Sequence, residues 1–445
     1  MKIGFFTLGC KVNQYETEAM KEKFLERGHE VLSDETSQGA DVYVINTCTV
    51  TNLADRKSRQ FIRRAKKENP EAIIAVTGCY AQMDPDAVSK IDGVDVVAGT
   101  GEKKKLPEYI EAYLREKQGV SCHIKAYEEL DSYESDGIIT AMESRTRAYI
   151  KIEEGCNRFC SYCIIPYARG RVRSREEDEI IREATGLVER GFKEIVLTGI
   201  NTALYGQDRT NEFGLAKLLL KIDEIPGDFR VRLSSLEPTV VSRKDVMSVL
   251  DSKRLCHHLH LSCQSGSDNV LSAMKRRYTR QEYLDIVKTL REIDPSFGIT
   301  TDIIVGFPGE TEEDFQDSIN LVKEAELSKV HVFRYSPRKG TDAASMENQI
   351  PGEEKGRRSG ILSKEAEAVS KAFLQSLIGK EERVLLEEKK GECITGYSDN
   401  YTRVYLNAKD LTLFDEVKDN KYNEFVRVRL TSLYKDGMKG ELIDG

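Results

Sequence analysis

The sequence predicts an α/β protein in three parts: an N-terminal doubly wound parallel-sheet domain, a central partial (β/α)6 barrel and a small C-terminal antiparallel β-barrel. Three patterns carry this. From Lys2 to Ala98, unbroken apolar runs alternate with helical patterns, as in a parallel sheet covered on both faces. From Arg147 to Phe333, strand and helix signals recur as six units, too few to close an eight-stranded barrel. From Val384 on, apolar and polar residues alternate in short runs split by turns such as SDN and KDG.

The elements follow in order. Lys2–Leu8 reads as a strand, and Gln14–Arg27 as a helix ended by Gly28. Asp41–Asn46, Ala72–Thr77 and Val94–Ala98 are further buried strands, and Leu53–Asn69 is a basic helix stopped by Pro70. Residues 120–143 are mixed and acidic, a linker with little core of its own. The barrel strands are Ala148–Ile152, Glu194–Leu197, Val231–Leu233, His258–Leu261, Ile299–Val305 and Val330–Phe333. Between them lie helical patterns at Arg175–Arg190, Leu215–Asp223, Arg243–Leu250, Arg280–Glu292 and Glu312–Ala325. The polar loops after the strands should line one mouth. A long polar helix, Gly352–Leu377, leads to strands at Val384–Glu388, Cys393–Tyr397, Arg403–Leu406 and Phe425–Leu430. The expected divisions are 1–118, a linker at 119–143, 144–374 and 375–445.

Composition narrows the function classes. The chain has 445 residues, 39% hydrophobic and 32% charged, which reads as soluble and globular. Its net charge of −8 excludes a globally basic nucleic-acid coat but not local basic patches. No apolar run approaches the ~20 residues of a membrane span. MKIGFFTLGCKVNQ lacks the pattern of a signal peptide, so a cytoplasmic protein with no membrane partner is expected.

The ten cysteines carry most of the chemistry. In a reducing cytoplasm they should not be disulfides. Cys156, Cys160 and Cys163 form a CxxxCxxC run on the loop after the first barrel strand. Three thiolates on one loop can each bind one iron of a cubic 4Fe-4S cluster, leaving one iron open. Zinc and a ferredoxin-type centre are the plainer readings; no fourth Cys or His sits nearby for zinc. Cys10, Cys48 and Cys79 each lie just past a predicted N-terminal strand, in LGCKVNQ, NTCTV and TGCYAQ. Parallel strands put those ends on one sheet edge, so the three can converge. The alternative is three buried structural thiols. Cys122, Cys256, Cys263 and Cys393 read as spectators. In the HHLH run, His258 and His260 share a strand face and His257 points away, which fits a barrel strand better than a metal site.

CxxxCxxC with an aromatic before the last Cys, on a partial barrel, resembles the radical S-adenosylmethionine (SAM) superfamily. The full set LGCKVNQYE, NTCTVT, TGCYAQ, GCNRFCSYCIIPYARGRVRSR, QSGSD and DIIVGFPGET is similar to the methylthiotransferases. That resemblance implies two 4Fe-4S clusters, one on Cys156, Cys160 and Cys163 and an auxiliary one on Cys10, Cys48 and Cys79. It implies SAM as both radical source and methyl donor, with Tyr162 at the adenine. Gly199, Asn201, Glu237, Gln264 and Gly306, on the loops after the later strands, would hold the rest of the cofactor. It also implies a reducing electron donor protein, a monomer, and a C-terminal RNA-binding barrel of the TRAM type. Within the family, CKVNQYE and CNRFCSYCIIPYARGR most resemble enzymes acting on threonylcarbamoyladenosine at position 37 of tRNA, beside the anticodon. The implied reaction is radical attack on the aromatic C2–H bond followed by methylthio transfer. Isopentenyladenosine of tRNA and a ribosomal-protein aspartate are the alternative substrates, and a non-catalytic iron–sulfur RNA-binding protein is the rival of another class.

The anticodon stem–loop needs basic contacts. Arg56–Lys67 holds seven Lys/Arg and no acid, and Arg145–Arg175 holds eight Lys/Arg against two acids. Arg169, Arg171, Arg173 and Arg175, directly after the cluster loop, are therefore expected at phosphates. The C-terminal barrel departs from that pattern. Residues 376–445 hold 12 Lys/Arg and 14 Asp/Glu, so its RNA role rests on the resemblance. Tyr397, Tyr401, Tyr405 and Phe425 could stack on bases or simply pack.

Overall fold

The computed structural model describes all residues except 34–38, 117–118, 141, 143–145, 211–213, 239–242, 412–421 and 444–445. Arg145, counted in the basic stretch above, lies outside the described residues.

The N-terminal sheet contains β1 (Lys2–Thr7), β2 (Glu30–Val31), β3 (Val42–Thr47), β4 (Ile73–Gly78), β5 (Val96–Ala98) and β6 (Ser121–His123). All neighbours are parallel, in the order β2-β1-β3-β4-β5-β6. β3 and β4 are buried along their whole length, because helices cover both faces. Phe5, Val44 and Ala75 pack on the α1 (Lys11–Glu26) side, and Phe6, Ile45 and Val76 on the α2 (Asn52–Glu68) side. The strand order reverses between β1 and β3, the switch point where such sheets leave a crevice beyond their carboxyl ends. The loops carrying Cys10 and Cys48 flank that point. The acidic linker differs from expectation. Ser121–His123 adds the sixth strand, and Leu130 and Ile139 are 2% and 1% exposed.

The central region begins with β7 (Arg147–Lys151), β8 (Glu153–Glu154) and β9 (Arg173–Ser174), of which β8 and β9 pair as a two-stranded ribbon around the cysteine loop. β10 (Glu194–Thr198), β11 (Arg230–Leu233), β12 (Ser235–Leu236), β13 (His258–Leu261), β14 (Gly298–Val305) and β15 (Lys329–Arg334) continue the barrel. It forms as two parallel sheets, β11-β10-β7 and β12-β13-β14-β15, because the third strand breaks at Ser234. The seam is bridged between Val231 and Leu255. Ala148, Ile150, Ile195, Leu197, Val231, Leu259 and Ile299 face the helices in one apolar core. By strand alternation, Arg147, Glu194, Arg230, Arg232, His258, His260 and Asp302 face the interior.

The long helix Gly352–Ser376 leads into β16 (Glu381–Lys390), β17 (Cys393–Ser398), β18 (Arg403–Asn407), β19 (Phe425–Tyr434) and β20 (Gly437–Leu442). They close in the order β16-β17-β18-β20-β19. Four of the barrel's five pairs are antiparallel, as expected, and the closing pair β18–β20 is parallel. The chain passes from β18 through β19 before it returns, so β20 arrives beside β18 running the same way. The β17–β18 turn plugs the lower end of the central barrel. Arg230 reaches Asp399 at 2.7 Å, Arg232 reaches the Asp399 carbonyl at 3.1 Å, and Arg147 reaches the Tyr401 hydroxyl at 3.3 Å. Tyr397 and Tyr401 stack on each other at 4.9 Å, with the Arg147 guanidinium 4.5 Å from the Tyr397 ring. These aromatics pack the junction between the two barrels.

Candidate active site

The loop from Cys156 to Cys163 rises from the carboxyl end of the first barrel strand. Cys156 and Cys163 are half-buried and Cys160 is buried. Backbone bonds pin the loop: Cys156 N–H donates to Gly170 O at 3.1 Å, and Ser161 Oγ donates to Ala273 O at 2.8 Å. Burial and the neighbouring Cys160 push the Cys163 thiol up to about 12, and burial raises Cys156 further. Iron ligation requires thiolates, so metal loading must reverse that cost and release protons. Arg276 Nη1 lies 3.5 Å from Cys160 Sγ, a cation placed to offset charge on the loaded loop.

Of the five later residues predicted for the cofactor, Glu237 reaches the loop through Arg158 and Asn201 reaches Glu237. Asn201 is buried, donates from Nδ2 to Glu237 Oε2 at 2.8 Å, and leaves its own Oδ1 without a partner. Glu237 also accepts from Arg158 Nε at 2.8 Å. Gly199 lies against Glu153, where a Cβ would stand 2.7 Å from the carboxylate. Gly306 donates its N–H to Glu310. Gln264 bridges to Ile303 at a positive φ of 72°. Tyr162 packs beside Val270, Met274 and Phe307. Glu153 is the residue that sequence reasoning missed. It is fully buried at the barrel mouth, burial holds its carboxyl well above the usual range, and Oε1 has no partner. Its position one register step beyond the first strand, on the interior face, was the available signal. Orphaned polar atoms on Glu153, Asn201 and Thr198 line a mouth that fits a polar, amino-acid-bearing cofactor.

The N-terminal cysteines converge across the switch point. Cys10 caps α1, Cys48 follows β3, and Cys79 opens the short helix α3 (Cys79–Met83). Burial, then charge on Cys79, pushes the Cys48 thiol up to about 12. Two glycines permit the approach. A Cβ on Gly9 would stand 2.9 Å from Cys48 Cβ, and one on Gly78, at φ 98°, would stand 2.4 Å from Thr47 O. Asn13 ties the loops together, donating from Nδ2 to Leu8 O at 2.7 Å and to Thr47 O at 3.0 Å. Among the described residues, no three His, Cys, Asp or Glu side chains are placed to hold a single ion. A cubic cluster has a different requirement, since each thiolate binds a separate iron.

The two cysteine sites face each other. Helix α3 packs on the short helix Ile165–Arg169 that follows Cys163. Arg169 crosses the junction and donates from Nε to Cys79 Sγ at 3.2 Å. Its guanidinium is held by Asn13 at 2.6 Å, by Glu154 at 2.8 Å and by Glu16. A second clasp joins Arg338 to Asp55 at 2.7 Å. This corrects the expectation of phosphate contacts for three of the four arginines. Arg169 and Arg175 are 0% exposed and Arg173 is 8% exposed. Arg175 binds Glu183 and Tyr15, and Arg173 donates to the Arg169 carbonyl at 2.7 Å. Only Arg171 of the four is exposed. The run faces buried carboxylates, Glu16 of the N-terminal domain and Glu154 and Glu183 of the central one, which a sequence count cannot see.

The pattern described as the Radical SAM superfamily matches residues 150–322, and that of the uncharacterized protein family UPF0004 matches residues 2–99. Over 446 residues the chain is 45% identical to threonylcarbamoyladenosine tRNA methylthiotransferase MtaB of Bacillus subtilis (strain 168), covering 96% of each chain. The chain belongs to the radical SAM methylthiotransferase family. This methylthiotransferase is also 41% identical to the protein of that name from Thermotoga maritima, covering 99% of this chain and 97% of the relative. It is 36% identical to tRNA-2-methylthio-N(6)-dimethylallyladenosine synthase of Clostridium tetani, covering 98% and 95%. Among solved structures, the radical S-adenosylmethionine methyltransferase TsrM from Kitasatospora setae, with cobalamin and a 4Fe-4S cluster bound, superposes with a TM-score of 0.59. It is 16% identical, covering 77% of this chain and 76% of that one, so the likeness is one of fold.

Proposed function

We propose that this enzyme converts N6-threonylcarbamoyladenosine beside the tRNA anticodon to its 2-methylthio derivative. The observation that carries the reading is the two sets of three cysteines on either side of Arg169. Cys156, Cys160 and Cys163 would hold one 4Fe-4S cluster, and Cys10, Cys48 and Cys79 the other. Tyr162, Gly199, Asn201, Glu237, Gln264 and Gly306 would hold SAM. When bound, these groups supply one-electron chemistry able to break an unactivated C2–H bond, together with the sulfur and the methyl group.

The protein's part is positional. Asn13, Gly9 and Gly78 keep the N-terminal loops in register. Arg169 and the buried carboxylates lock that register to the barrel mouth, so substrate carbon and sulfur source share one geometry. The exposed cations of α2, among them Arg56, Lys57, Arg63 and Lys67, offer phosphate-binding charge on the helix that follows Cys48. The divisions 1–118, 144–374 and 375–445 serve as auxiliary-cluster, radical and RNA-binding parts, although residues 119–143 contribute a strand to the first. A monomer served by a reducing electron donor protein completes the proposal. Among the described residues no helix is long and apolar enough to cross a membrane.

The test is anaerobic. Reconstituted protein should carry about eight irons, two four-iron cubes. With dithionite, SAM and a threonylcarbamoyl stem–loop it should give 5′-deoxyadenosine and the methylthio nucleoside by mass spectrometry. Product only from an isopentenyladenosine stem–loop would move the substrate to the neighbouring branch.

A further inference from the structure

The interior of the central barrel is built for a polar guest. Such interiors normally fill with branched aliphatic side chains. Here the inward positions hold Arg147, Glu194, Arg232, His258, His260 and Asp302. Their floor is the Tyr401 ring, which meets His258 at 4.7 Å and the Arg232 guanidinium at 4.6 Å.

Most of this charge is already committed. Arg230 and Arg232 hold Glu194 at 2.6 and 2.9 Å, and Arg147 holds Glu387 and Glu194. His260 faces Asp302 at 3.3 Å. At the domain junction, Lys103 and Arg169 bind Glu16, Arg175 binds Glu183, and Lys151 binds Asp136 at 2.6 Å. Lys11 stands apart. It is half-buried, and its side chain makes no hydrogen bond or ion pair among the described residues. Its helix α1 packs on β7, the strand that carries Arg147, and after burial, which lowers its pKa, the groups that act on it most are Tyr401, Arg232, Arg147 and Glu194, so Lys11 lies toward the barrel interior. It is also the residue after Cys10, which places it beside the auxiliary site.

We propose that Lys11 is a specificity-determining residue that binds the carboxylate of the threonylcarbamoyl side chain. This rests on the substrate reading above. The chemistry of the candidate substrates supports it. Threonylcarbamoyladenosine and isopentenyladenosine share the base and differ in the N6 arm, which is anionic in one and apolar in the other. A free cation inside the barrel is idle with the apolar arm and paired with the anionic one. Because Lys11 adjoins Cys10, pairing would also set the C2 edge of the base against the auxiliary loops. Charge-assisted pairing of this kind discriminates against an analogue that lacks the partner group.

The test uses reconstituted holoenzyme and two stem–loops, one carrying the threonylcarbamoyl carboxylate and one its primary amide. Wild type should prefer the acid by about 10–100-fold in kcat/KM. K11Q should lose that preference, and K11R should recover part of it. The acid-to-amide ratio is internal to each variant, so a change in cluster loading cancels. If K11Q does not turn over, the ratio of dissociation constants from fluorescence anisotropy on the same holoenzyme serves. A K11Q enzyme that keeps the wild-type preference overturns the inference. So does one that weakens acid and amide equally while the preference survives, which would assign Lys11 to an RNA phosphate. If wild type ignores the acid stem–loop and modifies the isopentenyl one, the substrate reading itself has failed.

Discussion

Replacing Arg169 with Gln tests whether the junction between the two cysteine sites is built as described. Arg169 is fully buried and its guanidinium makes five hydrogen bonds, to Cys79, Asn13, Glu154 and twice to Glu16. Removal leaves Glu16 and Glu154 to Lys103 and Lys151 alone. Breaking one partner of a buried ion pair costs about 3–5 kcal/mol, because the other charge stays buried. The Cys79 thiolate would also lose its donor, and lost outer-shell partners cost about 10–100-fold in metal affinity. The assay follows iron release to a chelator in a C156A/C160A/C163A background, where only the auxiliary site can hold a cluster. R169Q should release iron about 10–100-fold faster than that background. R169Q/E154Q, which restores charge balance, should recover thermal stability while still releasing iron fast. Unchanged release in both variants would refute the claim that Arg169 supports the Cys79 site.

Other outcomes follow from the same geometry. Cys156→Ala should abolish 5′-deoxyadenosine formation, whereas Cys48→Ala should retain it and lose the methylthio nucleoside; both are read by mass spectrometry. Gly78→Ala forces a Cβ against Thr47 O at a positive φ, so it should cost about 1–3 kcal/mol and auxiliary-site iron, measured by denaturation and iron content. Glu382 gives a pH signature. Burial, then the Asp399 and Asp294 charges, raises its carboxyl to about 7, against Lys380 and Arg230, which lower it. The folded state therefore binds the extra proton. Its stability is fully present below the unfolded value and declines as pH rises from there toward about 7, by on the order of 3 kcal/mol. Glu382→Gln should flatten that decline in thermal melts between pH 4.5 and 7.5, and an unchanged slope would exclude Glu382 as its source.

Much of this protein is legible along the chain, because its chemistry sits on loops whose position follows from strand periodicity. Unbroken apolar runs such as IIAVT mark buried parallel strands, and parallel strands deliver their carboxyl ends to one edge. Cys10, Cys48 and Cys79 therefore lie at one edge of the sheet although 38 and 31 residues separate them. The CxxxCxxC loop needs no fold at all, since its three thiols are neighbours in sequence. The β-barrel at the C-terminus is visible as alternation, but its parallel closing pair is not. Pair direction depends on how the chain crosses between strands, which alternation does not encode.

What only the tertiary structure decided is the use of charge. Arg169, Arg173 and Arg175 look like a phosphate-binding run until Glu16, Glu154 and Glu183 are brought against them. The acidic linker looks idle until Ser121–His123 joins the sheet. Glu153 and Lys11 read as ordinary charged residues until one is found buried without a full set of partners and the other with no side-chain partner among the described residues. The reason is physical. Hydrophobic periodicity is a local property repeated along the chain, so the sequence alone determined the elements and the order of the cysteine loops. Whether a charge is solvated, paired or held in reserve depends on groups far away in sequence, and only the packed domains settle it.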